Sequence, residues 1–403
     1  MSNDAGPVGA LDGVRVLDLT DERAIYGAKL LADLGAAVLR PEPPGGDPLR
    51  RRGPFAGGAA GGESLWYAHF GSSRGGLTLD SESDKDVATL RALACAADVV
   101  LDNGRLEACG LDAESLVGER AGLVVVRSSS FGREGPWRDY LAPDLVASAL
   151  GGICATTGDV DTPPLKLFGE LAFLLSGTYV AIGALAALRH ARETGEGQIV
   201  DAAVHEAIPS ALEQVLMYAW YWELVGPAEA PVLPRQGSLH WTTLYEVLQA
   251  QGGGVMVTPT PDMEAQLAWL VGEGFAEELL DPKWEDPELR MEYARRMMEA
   301  MRAWVPTREV QGLFTEAQER HAPYGRVLPP ELLLENPQLA ARGWWQSYRV
   351  GGEAVQGPGG PYRLEGTPWR VRAEAPSVEA GADPVAEGPK DLAGVLSAIG
   401  WTD

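Results

Sequence analysis

Three consecutive arginines stand out in an acidic chain: Arg50, Arg51 and Arg52. Three more arginines lie near the ends of strand-like runs: Arg40, Arg74 and Arg127. A planar guanidinium group binds anionic oxygens with two parallel hydrogen bonds, a geometry that an ammonium group lacks. The pattern is therefore compatible with a small anionic ligand. The alternative for each arginine is a solvated side chain on a loop.

Other reactive side chains do not form a recognisable catalytic or metal-binding set. The three cysteines have no metal-ligand spacing, and we expect them to be reduced and inert: Cys95, Cys109 and Cys154. A single histidine is more often structural than catalytic, which applies to His69, His190 and His205. The sequence therefore predicts no metal site.

The charge balance excludes two classes of partner. The 403 residues include 33 basic and 57 acidic side chains, which gives a formal net charge of −24. Nucleic acid and anionic membranes both need compensating cations, so we expect neither as a partner.

The composition, with 45% apolar and 22% charged residues, is typical of a folded protein of two or three domains. No signal peptide precedes the first apolar run, which predicts a cytoplasmic protein.

One apolar stretch is barely long enough to cross a bilayer. Residues 171–188 carry no charge and are bounded by Glu170 and Arg189. Small residues within the stretch, such as Ser176 and Gly183, suit a helix packed among other helices, and we expect that arrangement.

The elements that must position these side chains alternate along the first 130 residues. Strand-like runs cover 14–19, 37–40, 76–80, 98–101 and 123–128, and helical spacing covers 24–34 and 86–97. This alternation predicts an α/β fold with a parallel sheet between helices. Ligands bind at the carboxyl ends of the strands in such sheets.

The pattern changes in the second half of the chain. Residues 226–234 hold three prolines and interrupt a helical stretch. A smaller α+β unit follows, and the sequence becomes rich in loops after Pro329. We therefore predict a large domain over 1–225, a small domain over 226–329 and a third segment over 330–403.

Short motifs spread along the chain give a resemblance to a known family. They are LDGVRVLDLT at 11–20, LADLGA at 31–36, PPGGDPLR at 43–50, LTLD at 77–80, ADVV at 97–100, GREGPW at 132–137 with Asp144, TGEGQ at 194–198, PEL at 330–332 and NPQ at 336–338. In order and spacing the chain resembles the family III CoA-transferases (CaiB/BaiF). This group includes formyl-CoA transferase, carnitine CoA-transferase and α-methylacyl-CoA racemase.

The resemblance implies a fold, an assembly and a ligand. The fold would be a Rossmann-like large domain formed by both chain ends, with the small domain inserted, and the assembly an interlocked homodimer or related heterodimer. The ligand would be coenzyme A, whose phosphates need cations. We therefore expect CoA contacts from Arg40, Arg50, Arg51, Arg74 and Arg127. Asp18 and Asp144 also match family positions, and either is open to a role as a helix cap or in a turn.

The family's transfer chemistry rests on one aspartate, which this chain lacks. In the family its carboxylate attacks the acyl-CoA thioester, gives a mixed anhydride and then carries CoA as a thioester. Pro163-Pro164 and Gly177 keep the family spacing around that position, which places Phe173 where the aspartate would be. Glu170 is the nearest carboxylate and our candidate catalytic residue, with a helix-terminal charge as the alternative. The histidine of the racemase members is replaced by Pro143.

Three functions remain open from the sequence. The first is an enzyme that acts on an acyl-CoA, by CoA transfer to a free carboxylic acid or by related chemistry, without the usual aspartyl nucleophile. The second is a non-catalytic partner subunit of a heteromeric CoA-transferase, paired with a homologue that carries the aspartate. The third is a CoA- or nucleotide-binding module with a changed ligand. Phe173, Tyr26 and Trp66 would favour a hydrophobic acyl group.

Overall fold

The structure, a computed structural model, describes residues 8–58, 62–212, 214–225, 235, 237–238, 244–376, 394, 396 and 401. The chain divides into two compact units. The first is drawn from Met1–Gly152, Phe168–Ala211 and Ala341–Asp403, and the second from Ile153–Leu167 and Leu212–Ala340.

These limits differ from the domain boundaries drawn on the sequence. The proline-rich boundary at 226–234 lies outside the described residues. The second unit takes in Ile153–Leu167 because that loop is hydrogen-bonded to it: the Gly237 N–H donates to the Gly158 carbonyl, and Arg235 donates to the Thr162 carbonyl.

The strands, in chain order, are β1 (Arg15–Leu19), β2 (Ala37–Glu42), β3 (Arg74–Thr78), β4 (Val99–Asp102), β5 (Val124–Ser129), β6 (Gln198–Ala203), β7 (Glu246–Ala250), β8 (Gly253–Val257), β9 (Gly325–Arg326), β10 (Gln346–Val350) and β11 (Glu353–Gly357). The first six form one sheet in the order β3-β2-β1-β4-β5-β6, and every pairing is parallel. The prediction of an α/β fold with a parallel sheet is therefore confirmed.

The α-helices are α1 (Ile25–Asp33), α2 (Leu65–Phe70), α3 (Asp84–Ala96), α4 (Arg105–Ala108), α5 (Ala113–Glu119), α6 (Asp144–Leu150), α7 (Leu171–Thr194), α8 (Val204–Ala207), α9 (Gln214–Val225), α10 (Met263–Gly272), α11 (Arg290–Trp304), α12 (Val310–Glu319) and α13 (Pro337–Ala341). Short 3₁₀ turns, including Pro48–Arg51, lie between them.

Two apolar clusters enclose the parallel sheet, one on each face. One includes Val16, Leu101 and Val126, together with residues of α1 and α7, and the other includes Leu17, Val100 and Val125. Neighbouring strand residues thus point to opposite faces and are buried on both, as a parallel sheet between helices requires.

Helix α7 is the longest helix and crosses α1 at very close range. A Cβ atom added to Gly27 of α1 would lie 2.4 Å from the Gly177 carbonyl oxygen of α7, so only glycine fits at this crossing. By length and composition α7 could cross a membrane, yet half of the residues in its most apolar 18-residue segment are buried inside the protein. The crossing fixes the first turns of α7 beside the loop that follows β1.

The second unit has its own core. Strands β7, β8 and β9 form an antiparallel sheet. Helices α10, α11 and α12 pack around Trp269, Trp304 and Met301, all nearly or fully buried. The hairpin of β10 and β11 belongs to the first unit, where the Trp401 indole N–H also donates to the Ala37 carbonyl at 3.0 Å.

Candidate functional site

The carboxyl ends of β1, β4 and β5 are joined by side-chain hydrogen bonds. The Asp21 N–H donates to the Asn103 Oδ1 at 2.9 Å, and the Asn103 amide donates to the Ser128 carbonyl at 2.7 Å. The strand order reverses between β1 and β4, and ligands of such sheets bind at this reversal. Asn103 therefore lies at the point where a ligand site is expected.

Arg40, within β2, and Arg74, at the start of β3, are both held by a buried carboxylate. Asp18 is fully buried and accepts from Arg40 at 3.0 Å and from Arg74 at 2.5 Å. Arg40 also donates to Asp47 at 2.9 Å. Burial would raise the pKa of Asp18, but the two guanidinium groups outweigh it and hold that pKa below its ordinary value. This network fixes the loops around the site, and CoA contacts of Arg40 and Arg74 stay predictions.

The consecutive arginines separate into three environments. Arg50 donates to both carboxylate oxygens of Glu42, at 2.7 and 2.6 Å, and its guanidinium lies 4.3 Å from the centre of the Tyr67 ring. Arg51 is exposed. Arg52 donates to Glu170 of a distant segment, and its guanidinium lies 4.7 Å from the centre of the Trp66 ring. Of the three, Arg51 is the most open to a phosphate.

Arg127 and two arginines outside the predicted set, Arg23 and Arg105, also lie near strand ends. Arg127 pairs with Glu114 at 2.9 Å. Arg23 donates to the Asn103 carbonyl at 3.3 Å, and Arg105 donates to the Pro41 carbonyl at 2.5 Å. Both follow strands that meet at the reversal of strand order, which is the signal that would have identified them.

Phe173 occupies the first turn of α7 and is buried, with 4% of its surface exposed. Its backbone N–H donates to the Asp144 carboxylate at 3.2 Å, so Asp144 satisfies a donor at the start of the helix. Asp144 is itself buried at the start of α6 and accepts from Ser148. The start of α7 therefore carries an apolar ring at position 173, and the match of this position to the family's aspartate stays a prediction.

Glu170 immediately precedes α7 and is partly exposed. Its side chain makes no capping hydrogen bond to the helix. Instead it forms an ion pair with Arg52, in which the two side chains are 33% and 29% exposed. Glu170 thus stands three residues before Phe173 with its carboxylate already paired, and its catalytic role stays a prediction.

Three aromatic rings connect Arg52 to the crossing of α1 and α7. Trp66 and Phe70 of α2 have ring centres 4.5 Å apart, and Phe70 and Tyr26 have ring centres 6.0 Å apart. A Cβ added to Gly177 would lie 3.0 Å from the Tyr26 Cβ. Two of the residues proposed to line an acyl pocket, Tyr26 and Trp66, are therefore joined through Phe70.

The histidine nearest to these rings is neutral. Burial lowers the pKa of His69 to about 3. The Tyr348 hydroxyl donates to the Pro358 carbonyl at 3.0 Å, so it accepts from the His69 Nδ1–H, also at 3.0 Å. His69 thus packs as a fixed hydrogen-bond donor. In the described part of the chain, no group of three or more metal-ligating side chains comes together.

Comparison with known sequences gives a family match over most of the chain. The sequence profile described as "CoA-transferase family III" matches residues 11–383. The succinyl-CoA:(R)-benzylsuccinate CoA-transferase subunit BbsE of Thauera aromatica is 33% identical over 377 residues, 90% of each chain. The succinyl-CoA–D-citramalate CoA-transferase of Chloroflexus aurantiacus is 30% identical over 83% of each chain.

Solved structures agree with the fold. A CaiB/BaiF family protein from Brucella suis superposes with a TM-score of 0.75 at 25% identity, over 93% of this chain and 97% of that one. Rv3272 from Mycobacterium tuberculosis superposes with a TM-score of 0.76 at 20% identity, over 94% and 99% of the two chains. The second likeness shows the fold alone.

Proposed function

Because the chain belongs to CoA-transferase family III, we propose that it binds an acyl-CoA thioester as one subunit of a CoA-transferase whose aspartyl nucleophile is supplied by another chain. The observation that carries this proposal is the buried ring of Phe173 at the nucleophile position. A phenyl ring offers neither a lone pair for attack on a thioester nor a group that can carry CoA.

The remainder of the first unit supports retention of the CoA site. The buried Asp18 network holds the strand ends in place, and the reversal of strand order brings Arg23 and Arg105 to the same edge. Arg51, next to Arg50 in the chain, is exposed. The guanidinium groups of Arg23, Arg51 and Arg105 would supply the donors that a diphosphate and a 3′-phosphate require.

The proposed partner is a homologue that carries the aspartate, and the proposed compartment is the cytoplasm. The relative from Thauera aromatica is itself named as a subunit, which supports a heteromeric assembly. A homodimer remains the simpler assembly. Size-exclusion chromatography of the chain alone and with the homologue tests which one forms.

Glu170 carries the second candidate function, in which the chain transfers CoA by itself. Glu170 immediately precedes α7 and stands three residues before Phe173 in the chain. The ion pair with Arg52 works against this function, since pairing with a cation lowers the nucleophilicity of the carboxylate and holds it in one place. For attack, the pair would have to open.

One set of assays separates these functions. The purified chain is incubated with an acyl-CoA and a free carboxylic acid, alone and with an aspartate-bearing homologue, and the CoA esters are separated by chromatography. We expect no transfer by the chain alone and transfer by the mixture. Transfer by the chain alone, abolished by Glu170→Ala, would establish the second function instead.

Binding and gain of function provide the direct test of the first proposal. Calorimetric titration with CoA is expected to give saturable heat, and its absence at millimolar CoA would contradict a CoA site. Phe173→Asp restores a carboxylate at the family position, and we expect it to gain measurable transfer. Ala172→Asp, one residue earlier, is the matched control and is expected to remain inactive.

A further inference from the structure

We propose that Arg52 is a receptor for a free carboxylate of the substrate, with Glu170 competing for the same guanidinium group. The inference rests on the proposed function and adds to it a substrate class: acyl groups that carry a second, uncombined carboxylate.

The exposure of the Arg52 pair separates it from the pairs that hold Arg50 and Arg40. Its side chains are 29% and 33% exposed, whereas those of Arg50 and Glu42 are 20% and 6% exposed and those of Arg40 and Asp18 are 4% and 0% exposed. Solvent-exposed ion pairs contribute about 0–1 kcal/mol. A second carboxylate can therefore replace Glu170 at small cost, which is not so for the two buried partners.

The surroundings of Arg52 prepare it for an incoming carboxylate. Its guanidinium lies over the Trp66 ring, and its own backbone carbonyl accepts from Ser64. A cation over a ring face is attracted by that face, and the N–H groups of a guanidinium point outward in its own plane, where they can meet an anion. Two parallel N–H donors in one plane match the two oxygens of a carboxylate.

The position of the pair relates the receptor to the acyl group. Glu170 precedes the 24 residues of α7, whose positive end favours a negative charge, and Phe173 lies in the first turn of that helix. Trp66, Phe70 and Tyr26 continue from Arg52 toward the crossing of α7 with α1. The apolar rings suit the methylene groups of an acyl chain, and Arg52 suits a charge at its far end.

The test uses two CoA thioethers, which bind without reacting. One carries a 3-carboxypropyl group and the other a butyl group, so they match in chain length and differ in the terminal carboxylate. Calorimetric titration of the full chain gives the preference for the carboxylate as a ratio of dissociation constants. Free succinate and butyrate, titrated into the CoA-bound chain, distinguish a carboxylate on the acyl group from one on the acceptor acid.

Two substitutions should move this preference in opposite directions. Arg52→Gln should reduce binding of the carboxypropyl thioether about tenfold, as loss of a charged hydrogen-bonding group does, and leave the butyl thioether unchanged. Glu170→Gln removes the competitor and should strengthen carboxypropyl binding. Arg52→Lys keeps the charge without the planar fork and should give an intermediate value.

A second ion pair of the same unit provides the control. Arg91 and Glu119 form an exposed pair, with side chains 47% and 48% exposed, so Arg91→Gln and Glu119→Gln should leave both thioethers unaffected. Equal preference in wild type and Arg52→Gln for both the thioethers and the free acids would overturn the receptor while leaving the proposed function intact. Failure of both thioethers and of CoA to bind would overturn both. A shift seen only with the free acids would assign the receptor to the acceptor acid.

Discussion

Two of the arginine–carboxylate sites in the first unit, those of Asp18 and Glu170, differ mainly in burial. Asp18 is 0% exposed and is held by two guanidinium groups, those of Arg40 and Arg74. Glu170 is 33% exposed and is held by one, that of Arg52. The chemical groups are the same in both. Burial makes the first a fixed part of the fold, because removing either partner would strand a charge away from water.

Exposure gives the second site a different use. Water and dissolved ions compete with a pair at the surface, so its partners exchange at little cost. A binding site needs such exchange, whereas a scaffold must avoid it. A cluster of arginines in a sequence can thus contain both structural arginines and arginines free to bind a ligand. The burial of each carboxylate partner distinguishes the two.

The strongest test of the comparison is Asp18→Asn. Without the carboxylate charge, the buried Arg74 loses its ion-pair partner and Arg40 keeps only Asp47. We expect a loss of about 3–5 kcal/mol in the free energy of unfolding. Urea titration followed by circular dichroism measures it. Glu119→Gln, at an exposed pair, is the control and should change stability by less than about 1 kcal/mol. A similar small loss for Asp18→Asn would end the distinction between the two sites.

Acid should erase the effect of that substitution. The pKa of Asp18 lies below its ordinary value in the folded protein. Its contribution is therefore complete above the ordinary value of about 3.9 and is lost as pH falls through the lowered value. The stability difference between wild type and Asp18→Asn should be constant from neutral pH to about 4.5 and shrink below about 3.9. A difference that already declines between pH 7 and 5 would place the pKa of Asp18 above its ordinary value.

The contact of α1 with α7 connects the helix that follows Asp18 with the helix that follows Glu170. Gly27→Ala should push these two helices apart. The new methyl group would meet the Gly177 carbonyl oxygen at 2.4 Å and push α7 away. We expect a loss of about 1–3 kcal/mol, as for other overpacked sites, together with weaker binding of acyl-CoA. Gly118→Ala is the control: this glycine lies in α5 with open space around it, and alanine favours helix there. Equal effects of the two substitutions would show that the crossing is not tightly packed.

Five of the six strands of the parallel sheet could be predicted from the sequence, whereas β6 and the partners of the arginines could not. The apolar run predicted as a strand at 98–101 is found as Val99–Asp102, and the order of such runs along the chain predicted the fold. The spacing from Pro164 to Gly177 also predicts that Phe173 stands at the family's aspartate position. Ion pairs between residues far apart in the chain have no such local sequence pattern. Arg52 and Glu170 are 118 positions apart, and nothing in local spacing distinguishes Arg52, at an exposed pair, from Arg50, which is held by a nearly buried carboxylate.

The smallest expected effect is the most specific for the exposed pair. Glu170→Gln should change the free energy of unfolding by less than about 1 kcal/mol, because both side chains remain hydrated when the pair is broken. A double-mutant cycle with Arg52→Gln measures the coupling between the two, and raising the salt concentration should reduce it. A coupling above about 2 kcal/mol that persists in salt would place this pair beside the Asp18 network as scaffold. A weak, salt-sensitive coupling leaves Arg52 free to exchange Glu170 for a carboxylate from solution, because only a loosely held partner yields to a ligand.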